Sequence, residues 1–331
     1  MKLSELHRFA RAHPRLSVAL QLALLLIFLG SVAWAIRGSF HAAGKDLRDA
    51  DPVLFVLGCL TVAGYYLVFV VGWIRILDDW GVAITYPVSL RSEMVSMLAK
   101  YVPGGVWTPA ARVVAMRRAG VRDGALVTAA MLVEAGLSAV AGVLVFVLSL
   151  IWVHGVNAPI APIVAFAVVV AVLLHPRIFH EVASRLLRRL GYHDLPPLRT
   201  STLLSLLVFY AGTWVLGGFG LWLLLRAVGA HPSGSTVVFL GGVAAVGAIV
   251  AVLAFFAPSG LGAREGSMYG LILAIAPQGA ALGAIVLNRV AITLVEALLF
   301  AIGSFVLRQA RVRPSAPRQP ATSPDTSTSG S

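Results

Sequence analysis

The sequence predicts an all-α polytopic membrane protein of about eight transmembrane or re-entrant helices, arranged as an inverted repeat with two Pro/Gly-broken re-entrant motifs. Three observations carry this expectation. Only 12% of the 331 residues are charged and 59% are hydrophobic, whereas charged residues make up about a quarter of a soluble globule. Apolar runs recur along the chain, most of them near or above the roughly 20 residues that a helix needs to cross a bilayer. Two short stretches, KYVPGGVW and PSGLGAREG, break that apolar pattern with proline and glycine, and each is followed by a copy of LVEA.

The apolar runs cover residues 16–36, 53–74, 124–153, 159–174, 202–228, 236–257 and 280–307. The first follows a basic N-terminus bearing Lys2, Arg8, Arg11 and Arg15. It is longer than a signal-peptide core of about 7–15 residues and reads as a retained span. The fourth is short, which tilt or local thinning of the bilayer accommodates. Cations concentrate in the loop 75–122, with Arg75, Arg91, Lys100, Arg112, Arg117, Arg118 and Arg122, and again in 177–199. The loops HGVNAP and AVGAHPSGS carry no Lys or Arg. The positive-inside rule then puts both basic loops and both termini in the cytoplasm of a cell-membrane protein. Residues 1–15 form a basic cytoplasmic N-terminus, 16–308 one helical membrane domain, and 309–331, rich in Pro, Ser and Thr, a disordered cytoplasmic tail.

Both termini can share a side only if the number of crossings is even, and the apolar segment 266–277 supplies the remainder. Counted as a crossing it gives eight, the preferred count; paired with 236–257 as one re-entrant hairpin it gives six. The LVEA copies, Leu132–Ala135 and Leu294–Ala297, would then lie on helices of opposite direction, as in an inverted repeat.

Proline removes a backbone donor and glycine weakens a helix, so P-G-G and P-S-G at membrane depth free amides and carbonyls that lipid cannot satisfy. Such breaks persist where protein or a water-filled cavity surrounds them. The freed N–H groups at a half-helix start, with Arg112 or Arg264 nearby, suit an anion. A tight cytoplasmic turn beside the headgroups is the other reading. Glu134 and Glu296 each fall near the middle of an apolar run, and Arg289 precedes Glu296 by two turns. Charges at that depth mark a headgroup path, a protonatable site or a buried ion pair that fixes packing. Arg289 and Glu296 are too far apart along their helix to pair, so each seeks a partner on another helix.

These motifs resemble the paired signatures of the lysylphosphatidylglycerol synthase transmembrane-domain family, which includes the flippase-like membrane half of the multiple peptide resistance factor. The usual forms are similar to K-Y-[IV]-P-G-x-[VI]-W and P-G-G-[LI]-G-x-R-E; this chain has Ser259 in place of one glycine and Ala263 in place of a branched residue. The resemblance implies a stand-alone flippase-like domain without the soluble transferase. It handles an anionic or aminoacylated phospholipid, or a polyprenyl-linked lipid. The implied lipid-binding positions are Lys100, Tyr101, Pro103, Gly104, Gly105, Trp107, Arg112, Glu134, Pro258, Gly260, Gly262, Arg264, Glu265, Arg289 and Glu296.

Other chemistries find little support. Cys59 is the only cysteine, Asp78-Asp79 is not a DDxxD motif, and Gly260-x-Gly262 lacks the remaining glycine of a dinucleotide fingerprint. No nucleophile and base stand at a recognisable spacing, so no catalytic residue, metal or cofactor is expected. The net charge of +12 suits anionic lipid headgroups rather than nucleic acid. The partners expected are membrane lipids, a separately encoded transferase and a second copy of the chain. The alternative function is that of a membrane partner, or membrane-embedded enzyme, of lipid-linked aminoacyl or glycosyl transfer. The topology is tested by Arg188→Cys: an impermeant thiol reagent should label it only in permeabilised cells, and labelling in intact cells would reverse the assignment.

Overall fold

The computed structural model describes residues 48–101, 107–153, 198–254 and 260–306, with single positions between 165 and 185. The run 16–36, most of 159–174 and the tail 309–331 lie outside these residues. The described chain forms α1 (Pro52–Asp79), α2 (Tyr86–Met97), a 3-10 turn (Leu98–Tyr101) and α3 (Trp107–Ala119). These are followed by α4 (Gly124–Ser149), α5 (Thr200–Ala227), α6 (Thr236–Leu253), α7 (Ala263–Ile272) and α8 (Gln278–Ala301), which runs on into a π turn (Ile302–Val306). Helices α1, α4, α5, α6 and α8 with its extension are long and apolar enough to cross a membrane.

Helix starts follow the local sequence. Asp51 accepts the N–H groups of Val53 and Leu54 at the start of α1. Asp123 does the same for Ala125 and Leu126 at α4, so each carboxylate satisfies donors that the helix leaves open. Helices α1 and α5 lie antiparallel along their whole length. Gly58 meets Leu224, Gly220 meets Thr61 and Val62, and the Phe69 ring lies 5.1 Å from that of Tyr210. The pair is clipped at both ends. The Asp51 N–H donates to Ala227 O at 2.8 Å, while Asp79 accepts from Arg199 N–H at 2.9 Å and Thr202 Oγ1 at 3.0 Å.

Two hairpins complete the architecture. Helices α2 and α3 fold back on each other, with Val88 and Ser92 opposite Ala119 and Ala115. Lys100 and Tyr101 end its first arm and Trp107 begins its second. Helices α6 and α7 form the second: Gly260 abuts Ala251, and Gly247 faces Met268 and the Arg264 stem. The short α7 returns along α6, and α6 is one of the five described helices long and apolar enough to cross a membrane.

The order long helix, hairpin, long helix occurs twice, as α1, α2/α3, α4 and as α5, α6/α7, α8. Because α1 and α5 are antiparallel, the two hairpins enter the bundle from opposite ends, which is the geometry of an inverted repeat. Each hairpin packs on the closing helix of the other half, α6 on α4 and α2 on α8. Small residues permit the closest approaches: Gly218 sits against the backbone of Val237 and Gly241, and Gly142 against Ala245 and the Trp214 indole. Leu132, Val208, Leu294 and Leu298 point outward, as lipid-facing side chains do.

Gly218→Ala would place a methyl group against the backbone of Gly241. Overpacking of this kind costs about 1–3 kcal/mol, so the detergent-solubilised protein should melt at a lower temperature. Gly212→Ala on the same helix meets open space and should leave the melting temperature unchanged or raise it.

Candidate functional site

The described ends of the two hairpins, at Lys100 and Arg264, both reach the level of Tyr66 on α1: Lys100 shares Glu296 with the Tyr66 hydroxyl, and Arg264 lines one cavity with Tyr65 and Tyr66. On the first hairpin, the 3-10 turn delivers Lys100 to α8, where its ammonium pairs with Glu296. The Tyr66 hydroxyl donates to the same carboxylate oxygen. Glu296 is wholly buried, so a lysine from one half and a tyrosine from α1 together satisfy its charge.

Arg112 lies on the return arm, only 4% exposed. Its guanidinium donates to Glu134 Oε2 at 2.9 Å, pairs with Glu93 and reaches Ser96 Oγ at 3.5 Å. It also stacks 5.0 Å over the Trp73 ring, a cation–π contact that strengthens when desolvated. The Tyr210 hydroxyl lies beside Glu134, in space left by the missing side chain of Gly72.

The tip of the second hairpin is built differently. Gly260 and Gly262 both have positive φ, 67° and 80°, a region in which glycine carries no steric penalty. The Gly262 N–H donates to Glu265 Oε2 at 2.8 Å. Glu265 also pairs with Arg289 at 3.3 Å, which ties the start of α7 to α8. Arg289 and Glu296 thus each find a partner on another element, as their spacing requires.

Arg264 stands apart. Its stem packs over Gly247, and its side chain lines a cavity of about 150 Å³ between the two halves, with Tyr65, Tyr66, Trp214, Asn288 and Ile292 in the wall. Among the described residues no carboxylate pairs with it. Arg112 holds two carboxylates while Arg264 holds none. Arg264 and Arg289 also act through space on the Lys100 ammonium, so the cavity side of the network is electropositive.

Of the positions singled out by sequence, Lys100, Arg264, Arg289 and Glu296 gather around this centre, with Gly260, Gly262 and Glu265 shaping the second tip. Arg112 and Glu134 form a separate buried cluster and are not brought beside Arg264. Trp107 opens α3 and is 50% exposed, and Tyr101 closes the 3-10 turn. Pro103, Gly104, Gly105 and Pro258 lie outside the described residues. Sequence reasoning passed over Tyr65, Tyr66, Glu93, Tyr210, Trp214 and Asn288. The adjacent tyrosines in the middle of the run 53–74 were the available signal, since hydroxyls at that depth need partners.

Two inverted halves, each carrying a broken hairpin whose tip meets buried charges, define a multi-pass membrane protein with polar chemistry at its centre. The family model of the lysylphosphatidylglycerol synthase TM region matches residues 18–311, and the chain belongs to that family, which makes it a lipid-related membrane protein. No curated protein matches the chain.

The pairing orders the stability of three variants. Arg112→Met strips the buried Glu134 and the half-buried Glu93 of their cation and should destabilise most, by about 3–5 kcal/mol. Glu296→Gln leaves a partly exposed lysine and should cost less. Glu134→Gln should cost least, because Glu93 still neutralises Arg112. Melting temperatures of the three in one detergent check the order, and wild-type stability of Arg112→Met would show that the cluster fixes nothing.

Proposed function

We propose that the chain is a flippase-like carrier. It receives the anionic headgroup of a phospholipid, aminoacylated phospholipid or polyprenyl-linked lipid at Arg264 and passes it between leaflets through the centre of the bundle. The observation that carries this reading is the Arg264 guanidinium in the central cavity, committed to no carboxylate among the described residues while the charges around it are paired. Arg264 is half-buried, where a cation without a counter-ion favours an incoming anion, and a phosphate offers it bidentate hydrogen bonds. Tyr65, Tyr66, Trp214 and Asn288 supply the mixed polar and aromatic wall that a headgroup and its glycerol or sugar would meet.

In this reading the lipid is bound and released unchanged, and any aminoacyl or glycosyl transfer belongs to a separately encoded partner. The hairpins entering from opposite ends give each leaflet an approach to the same seat, which an inverted repeat makes available by rocking one half against the other. The termini and the basic loops face the cytoplasm.

Purified protein in liposomes, assayed for movement of labelled anionic lipid, tests the reading. Arg264→Ala should weaken lipid binding by about ten- to a hundredfold, since a hydrogen bond to a charged group contributes about 1.5–3 kcal/mol. Transport should fall with it while the protein stays folded. Arg264→Lys should restore only part, because an ammonium lacks the planar fork. Undiminished transport by Arg264→Ala would end the proposal.

A further inference from the structure

A second place in the molecule has cations without counter-ions. At the open end of the first hairpin, away from its tip, α2 and α3 enclose an indentation of about 30 Å³ lined by Arg91, Ser92 and Arg118 among valine and alanine side chains. That is room for about two water-sized groups. Ser92 is 2% exposed, and its hydroxyl and Arg91 Nε are both buried without a hydrogen-bond partner. Unsatisfied polar atoms of this kind call for an explanation, an unseen ion among them.

Among the described residues no carboxylate pairs with either arginine. Glu93, the neighbour of Ser92 on α2, is committed to Arg112, and Asp123 caps α4. Arg118 is accounted for by ordinary helix electrostatics, because it lies in the last turn of α3, where the helix dipole favours a cation. Arg91 is not. It sits in the second turn of α2, toward the end of the helix dipole that favours anions, opposite another arginine. A negative charge between them would satisfy both guanidiniums and the Ser92 hydroxyl together.

We propose that this indentation is a phosphate site, separate from the central cavity, that holds the phosphate of an anionic lipid headgroup or free phosphate at the end of the bundle where the first hairpin opens. It goes beyond the carrier reading and does not depend on it. Two guanidiniums and a hydroxyl donor match the oxygens of a phosphate, and the valine and alanine walls leave no acceptor to compete with it.

The full chain in detergent micelles, titrated with short-chain phosphatidylglycerol, with phosphatidylcholine of the same chain length and with inorganic phosphate, tests this by melting temperature and by bound ligand. In an Arg264→Ala background, which empties the central seat, phosphatidylglycerol should still raise the melting temperature more than phosphatidylcholine does. Adding Arg118→Gln, at an exposed position that the fold tolerates, should weaken that binding several-fold, and Arg91→Gln with Arg118→Gln by about tenfold or more. If inorganic phosphate shows the same dependence on both arginines, the phosphate site stands and free phosphate is a ligand in its own right. If it shows none, the lipid headgroup is the source. Binding of both probes that is indifferent to Arg91 and Arg118 would overturn the site, whatever Arg264→Ala does to transport.

Discussion

Everything at the centre of this bundle follows from one constraint: a helix broken at membrane depth must find its partners in protein, because hydrocarbon supplies none. Each hairpin tip is accordingly fastened to α8 by a charge. Lys100, at the end of the first tip, is held by Glu296 and shares that carboxylate with Tyr66. Glu265, at the start of α7, caps Gly262 and holds Arg289. Helices α1 and α5 act as posts, clipped antiparallel at both ends by Asp51 and Asp79, and the hairpins hang beside them. Buried ion pairs contribute little net stability, since desolvation offsets most of the attraction. Their consequence here is positional: they put two tips of opposite origin at one level and set what charge remains there.

The near-symmetry of the sequence does not produce two equal sites. Both copies of LVEA place a glutamate on the inner face of a closing helix, and both glutamates are buried. Glu134 binds the arginine of its own half, Arg112, whereas Glu296 binds the lysine of the other half, Lys100. Hairpin 1 therefore supplies the cation for both glutamates, and Arg264 on hairpin 2 is left facing the cavity. Where two halves were strictly equivalent, each tip would be neutralised alike and the centre would carry no preference for an anion.

The fold was legible where hydropathy and special backbone chemistry dominate. The apolar runs 53–74, 124–153, 202–228, 236–257 and 280–307 correspond to α1, α4, α5, α6 and α8. The eighteen residues from Thr236 to Leu253 have the length and composition of a span, and the contacts of Gly260 with Ala251 and of Gly247 with Met268 give the hairpin with α7 that the sequence admits as one of two arrangements. What escaped was α2: YPVSLRSEMVSM is too polar to look like a membrane segment, yet Ser89, Ser92 and Ser96 are all buried in the shelter of neighbouring helices. Glu93 went unnoticed with it, and so did the fact that Arg112 is doubly neutralised.

The charges therefore divide into two kinds that sequence alone could not separate. Arg112, Glu93 and Glu134 sit in a cluster beside Trp73 and Tyr210, in which the one guanidinium pairs with both carboxylates. Lys100, Tyr66, Glu296, Glu265 and Arg289 are also answered; Tyr66 carries that network to the wall of the cavity, where Arg264 has no carboxylate partner among the described residues. A group whose counter-charge is built in has no energetic reason to favour a ligand. One whose counter-charge is missing gains from any anion that can displace water and reach it, and the gain is larger because the walls around it are low in dielectric. Depth in the membrane, the feature that first drew attention to Glu134 and Glu296, is thus the weaker guide to ligand binding; the balance of partners around each charge is the stronger one, and it points to Arg264.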